Sequence, residues 1–185
     1  VALLAAAAGL ALSGTPSVRV VAGQVVPTDT PTPNPSTCSA AAQPALCVLP
    51  TFQTSLVGSS VDVNIAIDGV TDLGGYSFRL TWDPSVLSLA SVTNGAFLGS
   101  TGRTVSCNGP LGSTGAVDYA CVTLGATPPG PDGTGLLATV RLTAINAGFS
   151  PLVIANNELV RPQGLRITVG SVQHGGASID TPPTP

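Results

Sequence analysis

Apolar and polar positions alternate with a period of two along residues 73–92, and this stretch frames the chain. Tyr76, Phe78, Leu80 and Trp82 are interleaved with Ser77, Arg79 and Thr81, the spacing of a strand with one buried and one open face. Asp83-Pro84-Ser85 stops that strand, because Pro fixes φ and lacks an N–H while Asp and Ser bond back to nearby backbone. Val86, Leu87, Leu89 and Val92 begin a second alternating run directly after it. The same reading places strands at residues 47–54, 61–67, 76–82, 87–92, 104–107, 116–124, 135–145, 150–159 and 165–172, the last passing into 177–179. Gly- and Pro-rich turns at 72–75, 109–115 and 127–133 separate them. About nine short strands with no amphipathic helix after Gly14 predict an all-β fold, an antiparallel two-sheet sandwich.

The flanks read differently. Residues 1–26 form an apolar N-terminal segment, 27–44 a Thr/Pro-rich linker, 45–179 the sandwich and 180–185 a Pro-rich tail. The first twelve residues, with Leu3, Leu4, Leu10 and Leu12, match the h-region of a secretory signal peptide and are too short to span a bilayer. Val20-Val21-Ala22 supplies small residues for cleavage, but a basic n-region is lacking. The competing expectation is a retained assembly segment. A short Ala/Leu helix is marginal in water, so it would need burial in a neighbouring subunit, with only transient membrane contact. Val18, Val20 and Val25 suit a lone strand that adds to another subunit's sheet edge, or the tail of a leader. In the linker no residue can build a core, and the Pro spacing favours polyproline II. Thr28, Thr30, Thr32, Ser36 and Thr37 lie in this Pro-rich run and suit O-glycosylation of a secreted stalk.

Composition narrows the chemistry. Charged residues make up 8% of the chain, all six cations are Arg, and the net charge is -3. Scattered at 19, 79, 103, 141, 161 and 166, those cations cannot neutralise a run of phosphates, which excludes a nucleic-acid partner. Cys38, Cys47, Cys107 and Cys121 are an even set in a chain of secretory character, so disulfides are expected. Nearness in sequence favours Cys38 with Cys47 and Cys107 with Cys121, each closing a loop of ~10–15 residues. Without a Cys-x-x-Cys pair, and with one His, a metal cluster is not expected. Asp68, Asp72, Asp132, Asn156, Asn157 and Glu158 have oxygens for Ca²⁺, but their spacing fits no calcium loop. They read as solvated turns, and no cofactor is expected.

No catalytic constellation emerges. Glu158 is the single Glu, which removes a Glu pair for acid and base work. His174 sits in Val172-Gln173-His174-Gly175-Gly176, a turn without a nucleophile motif. Trp82 and Tyr76 share the buried alternation of Phe78 and Leu80, so they are not a sugar-stacking platform. Aromatics at 4% leave little from which to assemble an exposed strip.

Gly-Gly-Tyr-Ser-Phe-Arg-Leu-Thr-Trp-Asp-Pro-Ser-Val-Leu-Ser-Leu, residues 74–89, resembles the cohesin domain, whose pattern is roughly Gly-hydrophobic-x-Phe-x-hydrophobic-x-aromatic-Asp-Pro-x-Val-Leu. Upstream, residues 57–67 look like the family's Gly-x-x-Val-x-Val-x-Val strand. Downstream, residues 115–119, 133–142 and 170–172 are similar to its later strands, in the same order. The resemblance spans about residues 46–179 and implies a jelly-roll-like sandwich. Cohesins hold dockerin-bearing enzymes on cellulosome scaffolds, and related sandwiches bind polysaccharides. The expectation is therefore a non-catalytic, secreted or cell-surface assembly protein. In its first form the partners are copies of itself, in a filament, pilus-like fibre or scaffold. In the alternative the domain recognises a dockerin-like protein or a polysaccharide.

Overall fold

The computed structural model describes residues 38, 42–125 and 127–183, all within one compact unit, Asn34–Pro185. Its elements, in chain order, are β1 (Ala45–Leu49), β2 (Phe52–Leu56), β3 (Ser60–Val70), β4 (Gly75–Thr81), β5 (Leu87–Asn94), β6 (Val105–Ser113), β7 (Ala116–Thr123), β8 (Gly133–Ala144), β9 (Gly148–Val160), β10 (Arg166–Ile167), β11 (Ser171–Gln173) and β12 (Gly175–Asp180). The smaller sheet runs β11-β1-β3-β8-β5; the larger runs β2-β12-β9-β4-β7-β6, with β10 added beside β9. Among the described residues every regular element is a strand.

The alternation at 76–82 does what its period requires. Tyr76, Phe78 and Leu80 point inward and are nearly inaccessible, Trp82 follows them just beyond the end of β4 at 6% exposure, and Ser77, Arg79 and Thr81 remain half-buried outside. Facing them across the sandwich, Val61, Val63, Ile65, Ile67, Val140 and Leu142 close one apolar core. The polar ends of the buried aromatics are satisfied. Trp82 Nε1 donates to the Leu87 carbonyl at 2.9 Å, and the Tyr76 hydroxyl donates to the Leu137 carbonyl at 2.6 Å. Burial pushes the Tyr76 phenol far above its ordinary range. The Asp83-Pro84 turn is tied down by Asp83, whose carboxylate accepts from the Ser85 N–H and hydroxyl at 2.8 and 2.6 Å.

Several expectations are corrected. Residues 47–54 are not one strand: Pro50 lacks an N–H and ends β1, after which the chain crosses to the other sheet as β2. The strand expected at 104–107 begins at Val105 and is longer, because a register shift between Asn108 and Leu111 absorbs Gly109-Pro110 and lets β6 run to Ser113. Residues 165–172 break into β10 and the beginning of β11. The sheets are mixed. β1 lies parallel to β11 and β2 parallel to β12, because the first strands return beside the last ones to close the sandwich.

One buried cation was not legible in advance. Arg103 is 5% exposed and donates to the carbonyls of Gly125 and Pro128, so a guanidinium holds the Pro-rich connection before β8. Gly130 in that connection lies so close to Leu73 that a Cβ would come within 2.1 Å of its carbonyl.

Candidate partner-binding face

β4 and β7 lie within the larger sheet, paired from Gly75↔Val122 to Thr81↔Ala116. Since Tyr76, Phe78, Leu80, Val117, Tyr119 and Cys121 fill the core, the alternate residues Ser77, Arg79, Asp118, Ala120 and Val122 make the outer face. Two irregularities shape it. β9 bulges where its register with β4 slips between Ser77 and Arg79, with Asn156 at φ 46°, a conformation Asn tolerates better than most residues. β6 bulges at Gly109, φ 110°. Beside them lie shallow concavities of about 120 Å³, bordered by Asn108, Leu111, Asp118 and Asn156, and about 220 Å³, bordered by Tyr76, Val122, Glu158 and Val160. Ser77 and Ala120 border both.

The charges on this face are paired. Arg79 grips Asp118 with two bonds, Nε to Oδ1 at 2.9 Å and a terminal nitrogen to Oδ2 at 2.7 Å, which raises the affinity of the guanidinium for its proton further. Glu158 meets Arg166 at 3.0 Å. Leu111, 61% exposed, and Val122, 45% exposed, stand beside these pairs. Such a surface offers apolar anchors, hydroxyls and amides over a broad, shallow relief. It suits a protein partner better than an enclosed small molecule, for which a deep apolar cleft is the rule.

The candidate chemistry read from the sequence is distributed over both sheets. Cys38–Cys47 and Cys107–Cys121 are disulfides with Cα atoms 5.7 and 4.0 Å apart. The second joins direct register partners on β6 and β7. Of the Ca²⁺ candidates read as solvated turns, Asn156, Asn157 and Glu158 lie instead within strand β9, and the three Asp side chains bond to loop and strand partners. Asp72 accepts from the Gly130 N–H at 2.8 Å, Asp132 from the Asp72 N–H at 2.7 Å, and Asp68 from Gln43 at 3.1 Å and from the Thr134 hydroxyl. Among the described residues no three His, Cys, Asp or Glu side chains gather as metal ligands. His174 is exposed, and its Nδ1 accepts from the Ile154 N–H at 3.2 Å. Leu3, Leu4, Leu10, Leu12, Val18, Val20, Val25, Thr28, Thr30, Thr32, Ser36 and Thr37 lie outside the described residues. Phe52 and Phe149, each 57% exposed, form an open aromatic pair. Sequence reasoning missed it because the two rings come from strands far apart in the chain.

The cohesin-domain family model matches residues 48–157, more than half of the chain. The chain belongs to the cohesin family. No curated protein matches this cohesin in sequence. Solved cohesins share its fold at low identity. A non-cellulosomal cohesin from Archaeoglobus fulgidus is 16% identical with a TM-score of 0.58, over 74% of this chain and 90% of that one. The sixth cohesin of Acetivibrio cellulolyticus scaffoldin B, in complex with a Cel5 dockerin, gives 16% and 0.61 over 74% and 98%. A type I cohesin–dockerin complex from Clostridium thermocellum gives 10% and 0.62 over 79% and 100%. Cohesins are non-catalytic protein-interaction modules, and this chain carries that fold.

Proposed function

We propose that this cohesin is an extracellular recognition module that receives a dockerin domain on the outer face of β9-β4-β7-β6. The carrying observation is the face itself: paired charges, exposed Leu111 and Val122, and two shallow concavities meeting at Ser77 and Ala120. Support for the partner class comes from structural neighbours described as cohesin–dockerin complexes. The two disulfides favour an oxidising compartment. The first expectation, self-assembly through residues 1–26 and a sheet edge, rests in its N-terminal part on residues outside those described.

A panel of dockerin domains of different specificities, titrated against the full chain, tests the proposal. Saturable one-to-one binding to at least one dockerin is the expected result. No binding across the panel, with saturable binding to a soluble polysaccharide instead, would overturn it.

A further inference from the structure

Among the described residues the larger sheet ends on one side in β2, and this edge differs from the others. Native sheets block open edges with proline, bulges, charge or very short strands. β6, at the opposite end, carries Pro110 within its register shift. In the smaller sheet, β5 has a register shift between Leu89 and Ser91 and β11 is 3 residues long. β2 reads Phe-Gln-Thr-Ser-Leu, without proline or charge, and keeps an unbroken register with β12.

Its hydrogen-bonding groups have a direction. The Thr51 carbonyl accepts from the Gly176 N–H and the Val57 N–H donates to the Asp180 carbonyl, so the odd-numbered residues of this stretch face β12. By alternation, Phe52, Thr54 and Leu56 turn their main-chain groups to the open side. Among the described residues, the Leu56 carbonyl is occupied there by the Ser59 N–H at 3.0 Å. The side chains of the same three residues are exposed, and the ring of Phe149 lies 6.5 Å from that of Phe52 with the planes 18° apart. Gly176 on β12 makes room for it, since a Cβ there would come within 2.7 Å of the Phe149 ring.

We propose that β2 pairs with β2 of a second copy of this chain, antiparallel about a two-fold axis through Thr54. The strand is self-complementary. Reversed about Thr54, apolar Phe52 of one copy meets apolar Leu56 of the other, on both sides of the axis, as an isologous contact demands. The free groups match too. The two Thr54 residues exchange N–H and C=O, and each Leu56 N–H donates to the Phe52 carbonyl of the other copy. β2 bears no charge, so a like strand approaches without repulsion and a charged peptide gains nothing from it. Burying Phe52, Leu56 and Phe149 in both copies removes on the order of several hundred Å² of apolar surface, the small end of specific interfaces, so the dimer is weak and concentration-dependent.

Sedimentation velocity of the full chain over a wide concentration range, with two variants, tests this. The expected result is a species of twice the 18.2 kDa chain mass that grows with concentration. It is lost in Thr54→Pro, which removes an N–H from the open side and leaves the β12 ladder and the melting temperature intact. Mild oxidation of Thr54→Cys should give covalent dimers much faster than Thr93→Cys on β5. Association unchanged by Thr54→Pro, equal cross-linking at both cysteines, or a chain that stays monomeric throughout would overturn the proposal. So would a cello-oligosaccharide that saturates the Phe52–Phe149 pair of a purely monomeric chain.

Discussion

Asp83 shows how much one side chain settles. Its carboxylate binds Ser85, its carbonyl accepts from the Val86 and Leu87 N–H groups at 3.1 and 3.0 Å, and its own N–H donates to the buried Ser150 hydroxyl at 2.9 Å. Removing that hydroxyl in Ser150→Ala leaves the Asp83 N–H without its acceptor, a loss of about 1–3 kcal/mol that a lowered urea midpoint would register. Trp82→Ala removes a ring that is 6% exposed and the bond to Leu87; it should cost about 3–5 kcal/mol by the same measurement. Acid acts through single carboxylates as well. The Arg141 hydrogen bond holds Asp62, and the Ser85 bonds hold Asp83, below the ordinary value of 3.8. A depressed folded-state value stabilises the protein above the unfolded value, and that contribution is lost as pH falls through the folded one. The melting temperature should therefore be flat with respect to these groups above about pH 5 and fall below pH 3.8, with Asp62→Asn weakening the fall.

At the scale of elements, β6 is the edge strand of the larger sheet opposite β2. Among the described residues it pairs with β7 alone, and it is exposed along nearly its whole length, so the Cys107–Cys121 disulfide is its covalent fastening. Replacing both cysteines by Ala should lower stability by about 3 kcal/mol, the chain-entropy value for a loop of this size, and amide exchange should show β6 opening first. The extent of β6 was hidden in the sequence because Gly109-Pro110-Leu111-Gly112 has no apolar alternation to mark a strand. The split between β1 and β2 was hidden for another reason: Pro50 announces a break but not that the chain changes sheets. By contrast, Tyr76 to Trp82 and Val61 to Ile67 were legible, because a period of two with one apolar set admits one inward face. The candidate face was legible only as a negative. Ser77, Ala120 and Asp118 appear in the sequence as the polar or small half of an alternation, and only pairing β4 with β7, β6 and β9 brings them together.

For the whole molecule, the proposed dockerin contact lies on one side of the sandwich. The outer face of the larger sheet carries the Arg79–Asp118 pair and both concavities, whereas β5 lies at the edge of the other sheet, where β3 and β8 hold the Asp62–Arg141 pair. The most direct measurement is isothermal titration of a dockerin that binds the wild-type chain against Ala120→Arg and Thr93→Arg. Ala120→Arg plants a long cation where the two concavities meet, and Thr93→Arg plants the same cation on β5. Affinity lost by at least about a hundredfold in Ala120→Arg, equivalent to ~2.7 kcal/mol, and kept in Thr93→Arg is the predicted result. Equal affinity for wild type and Ala120→Arg, or a loss confined to Thr93→Arg, would contradict it.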